Sequence, residues 1–279
     1  MDVYTEKRQD KQSFFKDTHK IDLRNEIQQK LGSQPVAWFP WLFQILDLPG
    51  QCRVLELGCG TGSFWKENRE KVRPGWNVLL SDLEPEMVRR AHSDLTEMKN
   101  PMQFLTVDSQ TLPFPDESFD AVIAIGVLDL VPDLQQTLGE IRRVLRSSGV
   151  FLTTAGGKGH LQELEGMLQP FLPAGQAELL GGREDRFGLE NGARLLSPYF
   201  QEVARHDYND RLAFPSMQIV LDYVLSEQAV IWHMTLNKLA GFVQRIKKVL
   251  AQDGMVHVTV RKGAFLARKK ITRDDQPNP

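Results

Sequence analysis

A short strand that runs directly into a glycine-rich turn is the feature that most constrains how this chain can fold. Residues 54–57 form an apolar run of strand length, and Gly58, Gly60 and Gly62 follow at every second position. Glycine adopts positive φ and lets a ligand approach the backbone. Such a turn exposes amide groups at the start of the next helix, where the polar part of a nucleotide-like ligand can bind. A tight turn without a ligand is the weaker alternative.

The length, net charge and cysteine content limit the classes of protein to which this chain can belong. The 279 residues suffice for one large α/β domain or for a domain with an added cap. The net charge of −2 gives no electrostatic footprint for nucleic acid. The only two cysteines, Cys52 and Cys59, provide neither a disulfide framework nor a zinc spacing, so no metal is expected. The charged start argues against a signal peptide, and no apolar run approaches the roughly 18 residues of a membrane span. We therefore expect a cytoplasmic protein without a membrane partner.

Strand and helix signals alternate through the middle of the chain. This alternation is typical of a parallel sheet with helices on both faces, which predicts an α/β fold. The predicted strands are 53–57, 76–80, 102–107, 119–125 and 150–154, and the predicted helices between them are 63–72, 86–98 and 132–145.

Two regions outside this alternation are expected to be helical. Residues 1–50 are predicted to form an N-terminal helical arm. Within residues 216–253 apolar side chains recur at helical spacing, and the segment is too long for a loop, so it is predicted to be a cap or lid. The core domain would then comprise residues 51–215 and 254–270.

Acidic residues follow two of the predicted strands. In an open parallel sheet, ligands bind outside the carboxyl ends of the strands. Asp82 follows the second strand, and its carboxylate can accept both hydroxyl hydrogens of a ribose. Asp108 and Ser109 follow the third strand and can bind an adenine amino group, while Gly126 follows the fourth. Beside one glycine turn, these residues predict an adenosine site.

The same stretches resemble a known family. VLELGCGTGSFW, SDLEPEMVRRA and FLTVDSQTLPFPDESFDAVIAIGVLDLVPD resemble, in order, the first to fourth motifs of class I S-adenosylmethionine-dependent methyltransferases of the type 11 kind, and EIRRVLRSSGVFLTT resembles the helix and strand that follow. The resemblance covers residues 50–155 closely and the rest loosely. It implies a Rossmann-like sheet that is mostly parallel, with an antiparallel last strand that places residues 200–208 beside 255–267.

The resemblance also implies a cofactor and its site. S-adenosylmethionine would lie with its methionine part along the glycine turn, its ribose on Asp82 and its adenine near Asp108. The implied cofactor-binding residues are Glu56, Gly58, Cys59, Gly60, Gly62, Asp82, Leu83, Met87, Asp108, Ser109 and Gly126.

No fixed catalytic triad is expected for methyl transfer. The reaction is an in-line displacement at a sulfonium methyl group, in which orientation of the acceptor supplies most of the rate. A base is needed only if the acceptor atom arrives protonated. His160 and Asp129 are the candidate bases, although packing or surface roles are commoner for such residues. Many relatives carry N-H-x-L-x-H-V-P-D where this chain has IGVLDLVPD from Ile125 to Asp133, which indicates an altered substrate pocket.

Aromatic residues of the N-terminal arm are the candidate substrate pocket. Phe14, Phe15, Trp38 and Trp41 could face the sulfonium or an aromatic acceptor through cation–π contacts. For residues 35–46 a helix that packs on the sheet is the somewhat stronger interpretation, and both interpretations can hold.

Several functions stay open at this point. Transfer of the methyl group to a small molecule leads, since no basic stripe indicates a nucleic-acid partner, and the protein would be a monomer or homodimer. The alternative within this fold is an enzyme that cyclises or transfers the aminobutyryl arm and releases methylthioadenosine. A nicotinamide dehydrogenase fits less well, because the third glycine comes one residue early for G-x-G-x-x-G. A non-enzymatic cofactor-binding protein is the remaining possibility.

Overall fold

A single mixed sheet organises the part of the chain that this computed structural model describes, residues 18–172, 184–226 and 228–269. The strands within these ranges are β1 Cys52–Leu57, β2 Trp76–Asp82, β3 Met102–Thr106, β4 Phe119–Ala124, β5 Leu145–Gly156, β6 Phe200–Phe214 and β7 Val256–Lys269.

Helices flank the sheet. Further helices precede β1 and lie between β6 and β7. They are α1 Thr18–Leu31, α2 Trp38–Ile45, α3 Ser63–Glu67, α4 Pro85–Asp94, α5 Leu134–Val144, α6 Gln162–Leu168, α7 Gly192–Leu196, α8 Met217–Leu225, α9 Gln228–His233 and α10 Leu236–Asp253, with short 3-10 turns at Arg69–Lys71 and Gln169–Phe171. Among the residues described, none of these helices is long and apolar enough to cross a membrane.

The strand order is β3-β2-β1-β4-β5-β7-β6. The first five strands pair in parallel, and β7 runs antiparallel to both β5 and β6. The predicted Rossmann-like sheet with an antiparallel last strand is confirmed. Phe200 pairs with Lys269 and Phe214 with Val256, so the two segments expected side by side at one edge do pair there.

Apolar side chains cover both faces of the sheet, as a parallel sheet requires. Val54 and Leu55 are neighbours in β1 and point to opposite faces because side chains alternate along a strand. Val54 belongs to a buried cluster with residues of α2, α3 and α4. Leu55 belongs to a second cluster with residues of α5 and α7.

Strands β6 and β7 continue past the carboxyl edge of the parallel strands as a two-stranded ribbon. Gly156, the last residue of β5, pairs with Lys262, whereas residues 256–261 pair with β6 alone. Helices α8 to α10 connect the two strands of this ribbon. Their apolar residues pack with the ribbon, with α6 and with Ile27 of α1 in a third buried cluster. These three helices lie next to the carboxyl edge of the sheet, and their role as a cap stays a prediction.

Two predicted helices are shorter than their patterns suggest: α4 ends at Asp94 rather than at residue 98, and α3 ends well before residue 72. Residues 63–72 were expected to be helical throughout, but α3 ends at Glu67. The side-chain amide of Asn68 donates to the carbonyl oxygens of Phe64 (2.8 Å) and Phe39 (3.1 Å). Asparagine side chains that bind nearby carbonyl groups compete with the helical hydrogen bonds. The helix prediction was wrong beyond Glu67, because Asn68 instead connects α3 to α2.

Candidate functional site

The glycine turn between β1 and α3 leaves open space in front of its backbone. Gly58 has φ +64°, and a Cβ there would lie 2.5 Å from Val127 Cγ2, so only glycine fits. Gly60 also has positive φ, but a Cβ at Gly60 would meet no atom within 4 Å. The amide of Cys59 donates to Ser81 O at 2.9 Å and fixes the turn to the end of β2. The turn is thus rigidly held and open toward a ligand.

Asp82, at the end of β2, holds the turn from the other side. Its Oδ2 accepts from Gly60 N (2.9 Å) and its Oδ1 from Glu84 N (3.0 Å). Burial raises the pKa of Asp82, while these backbone hydrogen bonds act in the opposite direction. Each carboxylate oxygen has a further lone pair, so the group can still accept hydrogen bonds from a ribose diol.

Glu56 lies beneath the turn and is buried. Its Oε2 accepts from Trp65 Nε1 at 2.6 Å. Burial raises the pKa of Glu56 to about 8, with the Trp65 hydrogen bond opposing and Asp82 adding to the shift. The carboxyl group therefore holds its proton at neutral pH. Burial, together with Glu56 and Asp82, raises the pKa of the Cys59 thiol, which makes it an inert core residue.

The residues expected beside adenosine differ from one another in burial and in hydrogen bonding. Asp108 Oδ1 accepts from Gln110 N at 2.9 Å in the half-buried loop after β3, which also contains Ser109. Leu83 is 52% exposed directly after Asp82 and offers apolar surface there. Met87 is fully buried in the first turn of α4, so its side chain is not exposed at the predicted adenosine site.

Gly126, after β4, borders the same open space. It has φ +66°, and a Cβ there would meet no atom within 4 Å. Its amide donates to Thr154 Oγ1 at 2.9 Å, which fixes it to β5. Because β1 and β4 are adjacent strands, the openings at Gly60 and Gly126 lie side by side. This opening, with Asp82 at its border, fits an adenosine-containing cofactor.

Helix α1 lies over the glycine turn. Asp22 accepts a hydrogen bond from Thr61 Oγ1 at 2.8 Å, and Asn25 Nδ2 donates to Ser63 Oγ at 3.4 Å. Arg90 of α4 forms an ion pair with Asp22 at 3.3 Å. No sequence motif indicates these contacts, because the residues that they join lie 38 to 68 positions apart.

A cleft opens beside α1, toward the ribbon of β6 and β7. It encloses about 460 Å³ of empty space, counted with its open mouth, and its lining includes Asn25, Gln28, Trp38, Glu67, Tyr208 and Lys262. Trp38 and Trp41 stack with their ring centroids 5.4 Å apart, and both contact Tyr208 at 5.1 Å. Helix α2 therefore both packs on the fold and contributes Trp38 to a cleft. Phe14 and Phe15 lie outside the described residues.

The two candidate bases differ in their surroundings. His160 Nδ1 accepts from the backbone amide of Arg261 at 3.2 Å, so the neutral ring carries its proton on Nε2. Burial and the cations Lys262 and Arg24 lower the pKa of His160 to about 3. Asp129 is half-buried in the segment after Gly126. It lies close enough to Glu184 to contribute to the raised pKa of that carboxyl, after burial and Glu190.

Comparisons with known proteins find methyltransferases. A model of the methyltransferase domain matches residues 55–153. Malonyl-[acyl-carrier protein] O-methyltransferase from Hamiltonella defensa is 31% identical over 156 residues, 54% of each chain. Ubiquinone/menaquinone biosynthesis C-methyltransferase UbiE from Hahella chejuensis is 32% identical over 136 residues, 48% of this chain and 53% of that protein. The chain thus spans about half the length of the curated relatives that it matches.

A solved structure extends the comparison to the whole fold. YcgJ from Bacillus subtilis superposes with a TM-score of 0.57 at 17% identity, over 84% of this chain and 98% of that one. This similarity shows a shared fold, and the matched domain contains the glycine turn, Asp82 and Asp108. Residues 55–153 therefore resemble the methyltransferase domain, and the chain shares its fold with the solved structure of YcgJ.

Proposed function

We propose that this chain transfers a methyl group from S-adenosylmethionine to a small-molecule acceptor, as its similarity to methyltransferases supports. The observation that carries the proposal is the Asp82 carboxylate bonded to Gly60 N, at the border of the open space in front of Gly60 and Gly126. Asp82 would bind the ribose, with Asp108 and Ser109 at the adenine. The methionine part would lie along the turn that contains Gly58, Cys59, Gly60 and Gly62, above Glu56.

The residues of this chain would act by orientation and by exclusion of water. S-adenosylmethionine supplies a methyl group on a cationic sulfonium, with a neutral thioether as leaving group. Helix α1 covers the glycine turn through Asp22 and Asn25, which restricts access of water from that side. Positioning of two reactants in this way can contribute on the order of 7–11 kcal/mol to the lowering of the barrier.

The cleft beside α1 is the acceptor site that we favour. It adjoins the turn, since Asn25 both contacts Ser63 and lines the cleft, and it contains the ring of Trp38. Helix α8 packs against α1, where Gln28 donates to Tyr223, and the segment 216–253 would serve as a cap over this region.

Asp129 is the base that we retain for an acceptor that arrives protonated. It lies three residues after Gly126, near the open space at the end of β4. His160 would first have to give up its hydrogen bond from Arg261 N before Nδ1 could take a proton. Methyl transfer is favoured over transfer of the aminobutyryl arm, because the named relatives above are methyltransferases.

The site assignment is tested by calorimetric titration with S-adenosylhomocysteine. Asp82→Ala should weaken binding by roughly tenfold or more, because it removes charge-assisted hydrogen bonds to the ribose. Asp47→Ala, at an exposed aspartate after α2, is the matched control and should bind as wild type does. Equal affinity in the folded Asp82→Ala variant would refute the assignment. Product analysis during turnover should yield S-adenosylhomocysteine, whereas methylthioadenosine would indicate transfer of the arm.

A further inference from the structure

Lys262 places a cationic group in the cleft beside α1. The residue lies in β7, where it pairs with Gly156 on one side and Tyr208 on the other. Its Nζ donates to Gln28 Oε1 at 2.9 Å and lies 4.1 Å from the ring centroid of Trp38. The ammonium is therefore held between a neutral amide and an aromatic face, at the wall of the cleft.

The charge of Lys262 is incompletely compensated. An ammonium group has three N–H donors, and within the described residues only Gln28 accepts one, with no carboxylate at ion-pair distance. Removal of a charged group from water is unfavourable unless partners replace the water. Burial lowers the pKa of Lys262 to about 7, and Arg24 acts in the same direction, while Asp210 and Glu67 oppose the shift. A ligand with a negative group would supply the missing partner.

The nearby carboxylates do not fill this role. Asp210 Oδ1 already accepts from the backbone amides of Ser33 (2.7 Å), Gln34 (3.1 Å) and Arg211 (2.7 Å). These hydrogen bonds already stabilise the negative charge of Asp210 within the loop after α1. Burial raises the pKa of Glu67, which disfavours its ionised form, although Lys262 and Lys66 act in the opposite direction. Both acids would repel a doubly charged ligand more strongly than a singly charged one.

Helix α1 connects the glycine turn to Lys262. Asp22, Asn25 and Gln28 follow one another at intervals of three residues, so they lie along one side of the helix. They contact Thr61, Ser63 and Lys262 in that order. At 1.5 Å per residue, the backbone of Asp22 and that of Gln28 are about 9 Å apart. A small molecule can span this distance, with one end at the turn and the other at the lysine.

We propose that Lys262 binds a carboxylate of the methyl acceptor, at the end of the acceptor remote from the atom that is methylated. This inference rests on the proposed function. The acceptor's apolar part would lie against Trp38 and Tyr208. A single ammonium flanked by Glu67 and Asp210 suits one negative charge, which favours a carboxylate over a phosphate ester. Binding energy from such a remote group holds the acceptor in place for reaction.

The test measures selectivity with probes of known structure. With the protein saturated by S-adenosylhomocysteine, calorimetry compares 3-phenylpropanoate, its neutral amide 3-phenylpropanamide, and phenyl phosphate. Wild type should bind the carboxylate at least about tenfold more tightly than the amide, the value of one charge-assisted hydrogen bond. Lys262→Met should reduce this preference to roughly twofold or less. Lys158→Met, at an exposed lysine after β5, is the matched control and should keep the preference.

Each other outcome contradicts the proposal in a recognisable way. An equal loss of affinity for carboxylate and amide in Lys262→Met would show that Lys262 only positions α1 through Gln28. A wild type without preference for the carboxylate, or with tighter binding of phenyl phosphate, would also overturn it. If Lys262→Met does not fold, Lys262→Gln replaces it in the same comparison. Failure of S-adenosylhomocysteine to bind the wild type would instead refute the proposed function.

Discussion

Glu56 couples the stability of the fold to pH through a single buried carboxyl group. Its pKa rises from an ordinary 4.5 to about 8 in the folded protein. Between these values the folded state binds more protons than the unfolded state, so the free energy of unfolding falls as pH rises from about 4.5 to 8. The contribution is fully present below this window and is lost above it. Glutamine would keep an acceptor for Trp65 and would not ionise.

We expect Glu56→Gln to gain stability relative to wild type as pH rises. The difference in unfolding free energy should grow by on the order of 3 kcal/mol between pH 5 and pH 9, measured by urea denaturation at each pH. Glu97→Gln, at an exposed glutamate, is the control and should show no such trend. A difference that stays constant across this range would contradict the buried, protonated state of Glu56.

Sequence motifs located the ends of β1, β2 and β4, at which Gly60, Asp82 and Gly126 lie. The structure has open space in front of Gly60 and Gly126, and Asp82 accepts from Gly60 N; the binding roles of these residues stay predictions. Spacing along the chain could not show that Met87 points into the core, since exposure depends on the packing of α4. It also could not show that His160 accepts from Arg261 N, a residue 101 positions away.

At the scale of elements, local pattern located most strands and helices but not their ends. Strand β5 begins at Leu145, earlier than the apolar run from residue 150, because Phe119 of β4 pairs with Leu145 across a register shift. Helix α3 is stopped by Asn68, whose side chain bonds to α2. In both cases a tertiary partner sets the end of the element, and single-sequence pattern carries no information about that partner.

Helix α1 gives a prediction at this scale. Asp22→Ala removes the hydrogen bond from Thr61 and the ion pair with Arg90, which hold the helix over the glycine turn. We expect S-adenosylhomocysteine to dissociate several-fold faster, with about 1 kcal/mol lost from the stability of helix docking. Stopped-flow dissociation and hydrogen exchange of α1 measure the two effects. Glu26→Ala breaks only the exposed pair with Lys30 on the same helix and should leave both unchanged. An unchanged dissociation rate in Asp22→Ala would show that α1 does not help to retain the cofactor.

At the scale of the whole molecule, the cleft is the feature that sequence could not predict. Trp38, Tyr208 and Lys262 come from three segments that are distant in the chain, and only the pairing of β6 with β7 and the docking of α2 bring them together. The sheet could be predicted because the alternation of strand and helix patterns depends on residues that are neighbours in the sequence. A site assembled from separate segments depends on the completed fold.

The ammonium group of Lys262 in this cleft should lower the free energy of unfolding, a loss of stability that the proposed binding site requires. The pKa of Lys262 falls from 10.5 to about 7, because burial and Arg24 disfavour the charged form more than Asp210 and Glu67 favour it. Between pH 7 and 10.5 the unfolded state binds more protons than the folded state, so this group makes stability rise with pH. Below pH 7 both states carry the charge, and its full unfavourable contribution remains.

Lys262→Met should therefore unfold at a higher denaturant concentration than wild type at pH 6, and this gain should shrink steadily toward pH 10. The methionine side chain fills a similar volume against Trp38 and requires no hydration. The hydrogen bond that Lys262 donates to Gln28 is lost in this variant. Lys158→Met, exposed, should follow wild type at every pH. A Lys262→Met protein that is less stable than wild type at pH 6 would show that the lysine is held for structure. A gain in stability with loss of carboxylate selectivity would show that the fold retains an unfavourable buried charge because the acceptor site needs it.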